Sequence, residues 1–492
     1  MSILSLDYLL LVAVAFLAYY LLPLKVRWWV LLTASLVFYT LAGWFGLIYL
    51  TAVAAVTWGG SLAIRRVKAE GRWARAGGAK PLLSGVLVLI LGAMAALKYG
   101  GLWTAGWIAP LGLSWFTFQS AGYVIDVYRG KVEPERNPCR YLLFVAFFPQ
   151  MTQGPVSTWK QLAPQLTEGH RLEPALVQEG VLLMLWGYFK KLVLADRLAA
   201  VAAYTTTQLV APGWLALASA GVYMVQLYAD FSGGMDVIRG TALLYGIRMT
   251  ENFRRPFFST SVAEYWRRWH ISLGAWFRSY LLFPLTTSRM GLAVGAGASR
   301  LLGKKTGRMA PSALATILIF LLIGLWHGAS WNAVIYGLYF GLLMAVSTLL
   351  ESAFRRLRKR WHVPEKHPAI IALRLIRTWL LVLLAQFFAF TAGPREALSL
   401  MGQSLMGWSV ANVGSVLTAI MPGLEWIIVL AALTVLTAVD ALDEQGLTIG
   451  QRLARGPFPL RWLAMLALIV AIVVLGCYGD GMNGAAFLYT QF

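Results

Sequence analysis

Acidic residues are scarce in this chain: 21 Asp and Glu among 492 residues, against 42 Lys and Arg. Charged residues of either sign make up only 13%, where a soluble protein carries roughly 25%. That shortage argues against an ordinary water-soluble fold. Cysteine is nearly absent too. Cys139 and Cys477 lie far apart and suggest neither a disulfide framework nor a metal pair. The five histidines (170, 270, 327, 362 and 367) show no metal-ligand spacing beyond the loose pair His362 and His367, which sits in a basic loop. Neither HExxH nor GxSxG occurs. "GASRLLGKKTG" resembles a phosphate loop but fails in its glycine spacing and in the residue after the lysine. No repeat, heptad run or low-complexity linker is present.

What the chain has is apolar length. It is 59% hydrophobic, its mean hydropathy is +0.66, and its charges are clumped. The intervening apolar runs reach about 20 residues, the length that crosses a hydrocarbon core. These features imply an all-α polytopic membrane protein with one membrane-embedded domain over residues 1–492. The first run, Tyr8 to Pro23, has no basic residue before it and reads as a retained span rather than a secretory signal. The net charge of +21 does not point to nucleic acid. The cations fall in loops between spans, where the positive-inside rule puts them.

The basic loops order the topology. "RRVKAEGRWARAGGAK" carries six basic residues and one acid, and "YRGKVEPERNPCRY" and "ESAFRRLRKRWHVPEKH" are also basic. Spans fit at 8–23, 28–43, 45–63, 81–97, 111–127, 177–193, 213–231, 312–327, 331–350, 369–391, 423–441 and 460–477. This count of about twelve puts every basic loop in the cytoplasm and both termini outside. Two segments depart from the pattern. "YLLFVAFFPQMTQGPV" is apolar but short and interrupted by Pro149 and Pro155, which suits a re-entrant segment. Residues 232–310 mix Trp, Phe, Arg, Glu and Pro and read as amphipathic or partly inserted helices.

Polar groups inside apolar runs mark candidate chemistry. His327 lies in "GLWHGASWN", between Trp326 and Gly328, with Ser330 and Asn332 close behind. The block reads either as a helix-packing histidine or as a small polar pocket in an apolar wall. His270 lies in "EYWRRWHISLGAWFRSYL", beside Arg267, Arg268 and Trp269. That stretch suits an interfacial lipid-gripping helix, or a second polar group beside cations able to hold a phosphate-bearing donor. "YADFSGGMDVIRG" places Asp230, Ser232, Asp236 and Arg239 at the end of an apolar run. Its acids either pair with arginines to hold the fold or orient a catalytic histidine. Arg254–Arg255 and Lys304–Lys305 read as solvated or lipid-facing cations. "GLYFG" reads as a helix-packing GxxxG.

Taken in order, "GLSWFTFQSAGYVIDVYRG", "LLFVAFFPQMTQGPV", "YADFSGGMDVIRG", "ENFRRPFFSTSVAEYWRRWHISLGAWFRSYL" and "GLWHGASW" closely resemble the membrane-bound O-acyltransferase superfamily. The likeness is to the alginate O-acetylation and peptidoglycan O-acetyltransferase branch, with the core motifs at about 111–350. The resemblance implies a ring of about 11–13 transmembrane helices, with re-entrant and interfacial helices, around a central channel. It makes His327 and His270 the candidate catalytic residues, both in the same channel. It implies no bound cofactor, a cytosolic thioester donor (acetyl-CoA or an acyl-carrier thioester), and an extracellular SGNH-type esterase or transferase partner. The tail "FLYTQF", residues 487–492, is similar to tails in which a tyrosine is an acyl carrier, so Tyr489 is a candidate carrier; an aromatic membrane-interface belt is the plainer reading.

The implied activity is O-acylation, by preference O-acetylation, of an envelope polysaccharide. A neutral imidazole can take the proton of a hydroxyl as it attacks a thioester. The acceptor stays open among alginate, peptidoglycan, other exopolysaccharides and a secondary polymer. The same fold also serves D-alanyl transfer to teichoic acid. A transporter or flippase is a third reading, but no paired broken helices support it.

Overall fold

The computed structural model describes residues 2–70, 78–102, 104, 109–208, 210–409 and 411–478. Among the described residues all regular structure is helical, and there is no strand. Eight helices are long and apolar enough to cross a membrane: Leu24–Ala42, Trp44–Glu70, Lys80–Lys98, Ala310–His327, Trp331–Arg360, Pro368–Phe390, Gly423–Glu444 and Phe458–Leu475. Only 6% of the apolar window of Phe458–Leu475 is buried in protein, which leaves the remainder for lipid.

The other four expected crossings differ in kind. Leu6–Leu21 and Pro174–Tyr188 are apolar but shorter, at 16 and 15 residues. Leu113–Tyr128 is buried along nearly its whole length. Gly213–Leu244 is a mostly buried 32-residue helix that carries Gln226, Asp230, Asp236 and Arg239 into the interior. Residues 232–244 therefore continue this helix. The short interfacial pieces begin later, at Val262–Arg268 and Ile271–Phe277.

Pro174–Tyr188 and Gly213–Leu244 cross on paired glycines. A Cβ on Gly180 would lie 2.7 Å from the Gly240 carbonyl oxygen, and one on Gly233 would lie 2.8 Å from that of Gly187. Such contacts let backbones pack where no hydrophobic effect operates between helices. Ala310–His327 and Trp331–Arg360 do the same, with Gly337 against the Phe320 carbonyl and Gly341 against Ile317. The GxxxG at 337–341 is thus a packing motif, as its sequence implies.

The re-entrant segment is a helix, Pro138–Ala146, followed by a buried irregular stretch through residue 157. Its backbone is satisfied by side chains. Phe148 N–H donates to Ser35 Oγ (3.1 Å), Trp115 Nε1 donates to the Thr152 carbonyl (3.1 Å), and Val156 N–H donates to Ser272 Oγ (3.0 Å). Non-helical backbone at membrane depth is tolerated only when protein meets its polar groups in this way.

Buried charge sits on one side of the Gly213–Leu244 helix. The π-helical turn Phe189–Ala195 presents Lys190 and Lys191 to it. Lys190 Nζ is 2.7 Å from Asp236 and 2.8 Å from Ser232 Oγ. Lys191 Nζ lies 2.7 Å from both Asp196 and Asp230. The acids of "YADFSGGMDVIRG" are thus held mainly by lysines, not by the expected arginines, although Arg239 reaches Asp236 at 3.4 Å. Removing one partner from a buried ion pair leaves the other charge uncompensated, at a cost of about 3–5 kcal/mol. Lys191→Met should lower stability by that amount in thermal or denaturant unfolding of the detergent-solubilised protein. Adding Asp196→Asn and Asp230→Asn should recover most of the loss. No recovery would mean that the lysine acts through packing rather than charge.

Candidate active site

Three cavities adjoin one another through shared lining residues. The first, about 430 Å³, is lined by Arg254, Arg255, Arg267, Arg268 and Arg278, with Glu264 and Glu444. The second, about 310 Å³, shares Trp266, Arg267 and Arg278 with the first, then passes through Leu273, Phe277 and Ile323 to His270 and His327. The third, about 210 Å³, lies beyond His327 and is lined by Gly328, Ser330, Asn332, Tyr336 and Thr391 among others. His327 faces both the second and the third, as do Trp266 and Trp269.

The cations of the first cavity divide into two sets. Arg268 pairs with Glu264 (2.7 Å) and with both carboxylate oxygens of Glu444 (2.8 and 2.9 Å), and Arg255 also reaches Glu444 (2.9 Å). Arg254 is held by Glu251 at 3.1 Å. Burial alone would raise the Glu264 carboxyl, but the Thr260 N–H and hydroxyl and the Arg268 guanidinium outweigh it and hold the group below its usual range. Among the described residues, Arg267 and Arg278 have no carboxylate partner. They stand where the basic cavity narrows into the apolar one, ready to meet an anionic group.

His327 is the last residue of Ala310–His327. The ring of Trp326 lies 4.6 Å from its ring, 5.5 Å from Trp115 and 6.2 Å from Phe118. His270 is buried at the wall of the second cavity, with Phe231 at 5.0 Å, Trp115 at 5.6 Å and Trp326 at 6.3 Å between ring centroids. Its backbone is left-handed, φ 46° and ψ 53°, at the start of Ile271–Phe277. A non-glycine residue in that region is strained and marks a candidate functional position.

The remaining sequence candidates fall around this core. Trp269 packs on Phe253 and Tyr265, with centroids at 4.9 and 5.5 Å. Ser330 caps Trp331–Arg360 by accepting from Ala333 N–H (3.2 Å). Asn332 is buried and donates to Thr391. Asp230, Ser232 and Asp236 belong to the lysine network; their helix reaches His270 through Phe231. Tyr489 and the rest of 487–492 lie outside the described residues. Sequence reasoning passed over Lys190, Lys191, Arg278, Thr391 and Lys98, whose Nζ lies 5.5 Å from the Trp326 ring. Two adjacent lysines inside "LLMLWGYFKKLVLAD" were the available signal for the first pair.

No family model matches the chain. It is 34% identical over 357 residues to the probable alginate O-acetylase of Pseudomonas putida, a match that spans 68% of this chain and 67% of that protein. The chain belongs to the membrane-bound O-acyltransferase superfamily. Within it the chain falls in the alginate O-acetylase branch. It is 30% identical over 279 residues to the peptidoglycan O-acetyltransferase of Helicobacter pylori, across 51% of this chain and 49% of that one. It is 28% identical over 254 residues to the teichoic acid D-alanyltransferase of Bacillus subtilis, across 50% and 60%. The chain spans about two thirds or less of the length of the curated relatives it matches. The expected all-helical, multi-span architecture is present among the described residues, and the two histidine blocks converge on one cavity.

The left-handed backbone at His270 generates a prediction. Glycine adopts this conformation without strain, whereas alanine retains a cost of about 1 kcal/mol. His270→Gly should therefore be more stable than His270→Ala by about 1 kcal/mol in parallel unfolding experiments. Equal stabilities would show that the backbone relaxes once the ring is gone.

Proposed function

We propose that this protein moves an acyl group, acetyl by preference, from a cytosolic thioester to an acceptor hydroxyl, for O-acetylation of an extracytoplasmic polysaccharide. The observation that carries this reading is that His327 lines both the cavity reached from the arginine-rich side and the cavity beyond it. By the positive-inside rule the arginine-rich side is cytoplasmic. A thioester donor of this kind carries phosphate, and Arg267 and Arg278 are placed to hold it while the acyl end runs between apolar walls to His327. The His327 imidazole takes the proton as the acceptor oxygen attacks the thioester carbonyl. The aromatic walls keep water, the competing nucleophile, from the carbonyl. His270, enclosed by Phe231, Trp115 and Trp326, is assigned to the channel wall at the same point. Asp230, Ser232 and Asp236 are assigned to supporting the helix behind it.

The resemblance supplies two further parts of the proposal: Tyr489 as a transient acyl carrier, and an SGNH-type esterase or transferase partner that completes transfer to the glycan. The polymer that receives the acetyl group is an envelope or extracellular polysaccharide, as the names of the relatives suggest.

Purified protein in nanodiscs, given acetyl-CoA labelled in the acetyl group, tests the reading. Wild type should cleave the thioester, and His327→Ala should lose that activity by about 10²-fold or more. Label on the C-terminal peptide, lost in Tyr489→Phe, would establish the carrier. Absence of turnover with acetyl-CoA, together with turnover of a carrier-bound D-alanyl thioester, would move the protein to the D-alanyl-transfer branch. The double variant Arg267→Gln, Arg278→Gln should raise the KM for acetyl-CoA about 10- to 100-fold with a much smaller change in kcat, since it removes charge-assisted phosphate contacts made before chemistry. An unchanged KM would assign the phosphates to other residues.

A further inference from the structure

His327 is the last residue of its helix, Ala310–His327. The final carbonyls of a helix have no partner within it, and the last turn frays unless something outside holds it. A base placed there needs outside support to keep its aim. The end of Lys80–Lys98 supplies two contacts. Tyr99, the residue after that helix, donates its hydroxyl to the Leu325 carbonyl. Lys98 holds its Nζ over the Trp326 ring, 5.5 Å from the ring centre. Two consecutive side chains thus grip two consecutive residues, and the next residue is His327. The Trp326 ring in turn lies 4.6 Å from the His327 ring. Elsewhere Lys80–Lys98 packs on Trp44–Glu70 and Leu113–Tyr128, with Val86 against Gly60.

Lys98 is a costly residue in this place, because an ammonium on an apolar span needs a partner. No carboxylate among the described residues pairs with it. The sequence holds no acid between Glu70 and Asp126, around Lys98, and none between Glu264 and Glu351, around Trp326. What Lys98 has is the face of an indole, which attracts a cation within about 6 Å. The same indole packs on Trp115 and Phe118, at 5.5 and 6.2 Å between ring centres, so the ammonium is one of several contacts that fix the ring.

We propose that Lys98 and Tyr99 are positioning residues for His327: together they fix the last turn of its helix and with it the direction of the imidazole. The inference rests on the acyl-transfer reading above, in which His327 is the base. Neither residue touches a reacting atom or exchanges a proton in that step. A general base works only within hydrogen-bond reach of the proton it takes. A displacement of about 1 Å can lower the rate about 10²-fold.

The test uses the full-length protein in nanodiscs with acetyl-CoA labelled in the acetyl group. Lys98→Met keeps the apolar stem and removes the charge. Tyr99→Phe keeps the ring and removes the donor. Each should lower kcat for thioester cleavage about 10-fold and leave the KM for acetyl-CoA unchanged, since the donor is held at the distant arginines. Lys98→Arg, which restores a cation over the ring, should recover most of the first loss. Tyr99→Phe loses only an oxygen and carries the test alone if Lys98→Met does not assemble. The deciding arm repeats the substitutions in a His327→Ala background. With no imidazole to position, they should lower the residual rate no further. A wild-type kcat in both single variants, or the same fold loss again on His327→Ala, would overturn the inference and leave the acyltransferase reading standing. Full activity of His327→Ala would remove both.

Discussion

Backbone that leaves the helical path inside a membrane protein has to find its hydrogen bonds in the protein itself. Much of this structure follows from meeting that demand between residues 147 and 157. Ser272 accepts from Val156 and donates its own N–H to Asn252 Oδ1 at 2.9 Å. Ile271 N–H reaches the Asn252 carbonyl at 3.0 Å. The residue immediately before this pair is His270. Its left-handed backbone is therefore pinned by contacts made on behalf of the re-entrant segment, and its ring is delivered into the aromatic wall of the channel. Three distant stretches of sequence (around 150, 252 and 271) meet in one hydrogen-bonded chain, and the channel wall is where they meet.

The histidine blocks were legible in the sequence because a polar ring in an apolar run is conspicuous. The basic loops were legible because charge is so scarce elsewhere. The partners of the acids at 230 and 236 were harder to see. A lysine is expected at the interface, and Lys190 and Lys191 follow a 15-residue apolar helix in a position that could equally be its end. Their inward direction comes from the π-helical turn, which shifts the side-chain register by one residue per turn relative to an α-helix. Periodicity does not reveal such a shift. Arg278 and Thr391 were hidden for a related reason: their neighbours in space come from other elements. The twelve expected crossings counted apolar length alone. Length does not tell a helix facing lipid, such as Phe458–Leu475, from one buried in protein, such as Leu113–Tyr128.

Charge placement separates architecture from binding. In the interior every lysine of the 190–191 pair is matched to a carboxylate at 2.7 Å, as a low-dielectric site requires. At the mouth of the channel, Glu264 and Glu444 hold Arg255 and Arg268 in place as rigid walls. Arg267 is the sequence neighbour of Arg268, yet it faces the passage to His327. A doublet of arginines at the end of a short helix thus serves two purposes, because adjacent helical residues point about 100° apart. One guanidinium anchors the helix and the other is available to a ligand. Of the arginines that line the mouth, pairing leaves Arg267 and Arg278 without a carboxylate among the described residues.

The division between the second and third cavities depends on how closely two helices approach. Gly324 and Gly337 bring Ala310–His327 and Trp331–Arg360 together one turn before His327. The chain then turns through Gly328, and Ser330 starts the next helix. This tight turn leaves the His327 ring at the boundary, with Asn332 one short step into the following helix and facing the far side. Larger residues at the crossing would separate the helices, widen the turn and merge the two cavities. In the proposed reaction, water could then reach the thioester from the far cavity, and hydrolysis would compete with transfer. Close glycine packing and the separation of the two cavities are in this sense the same property: the helices must touch for His327 to stand between them.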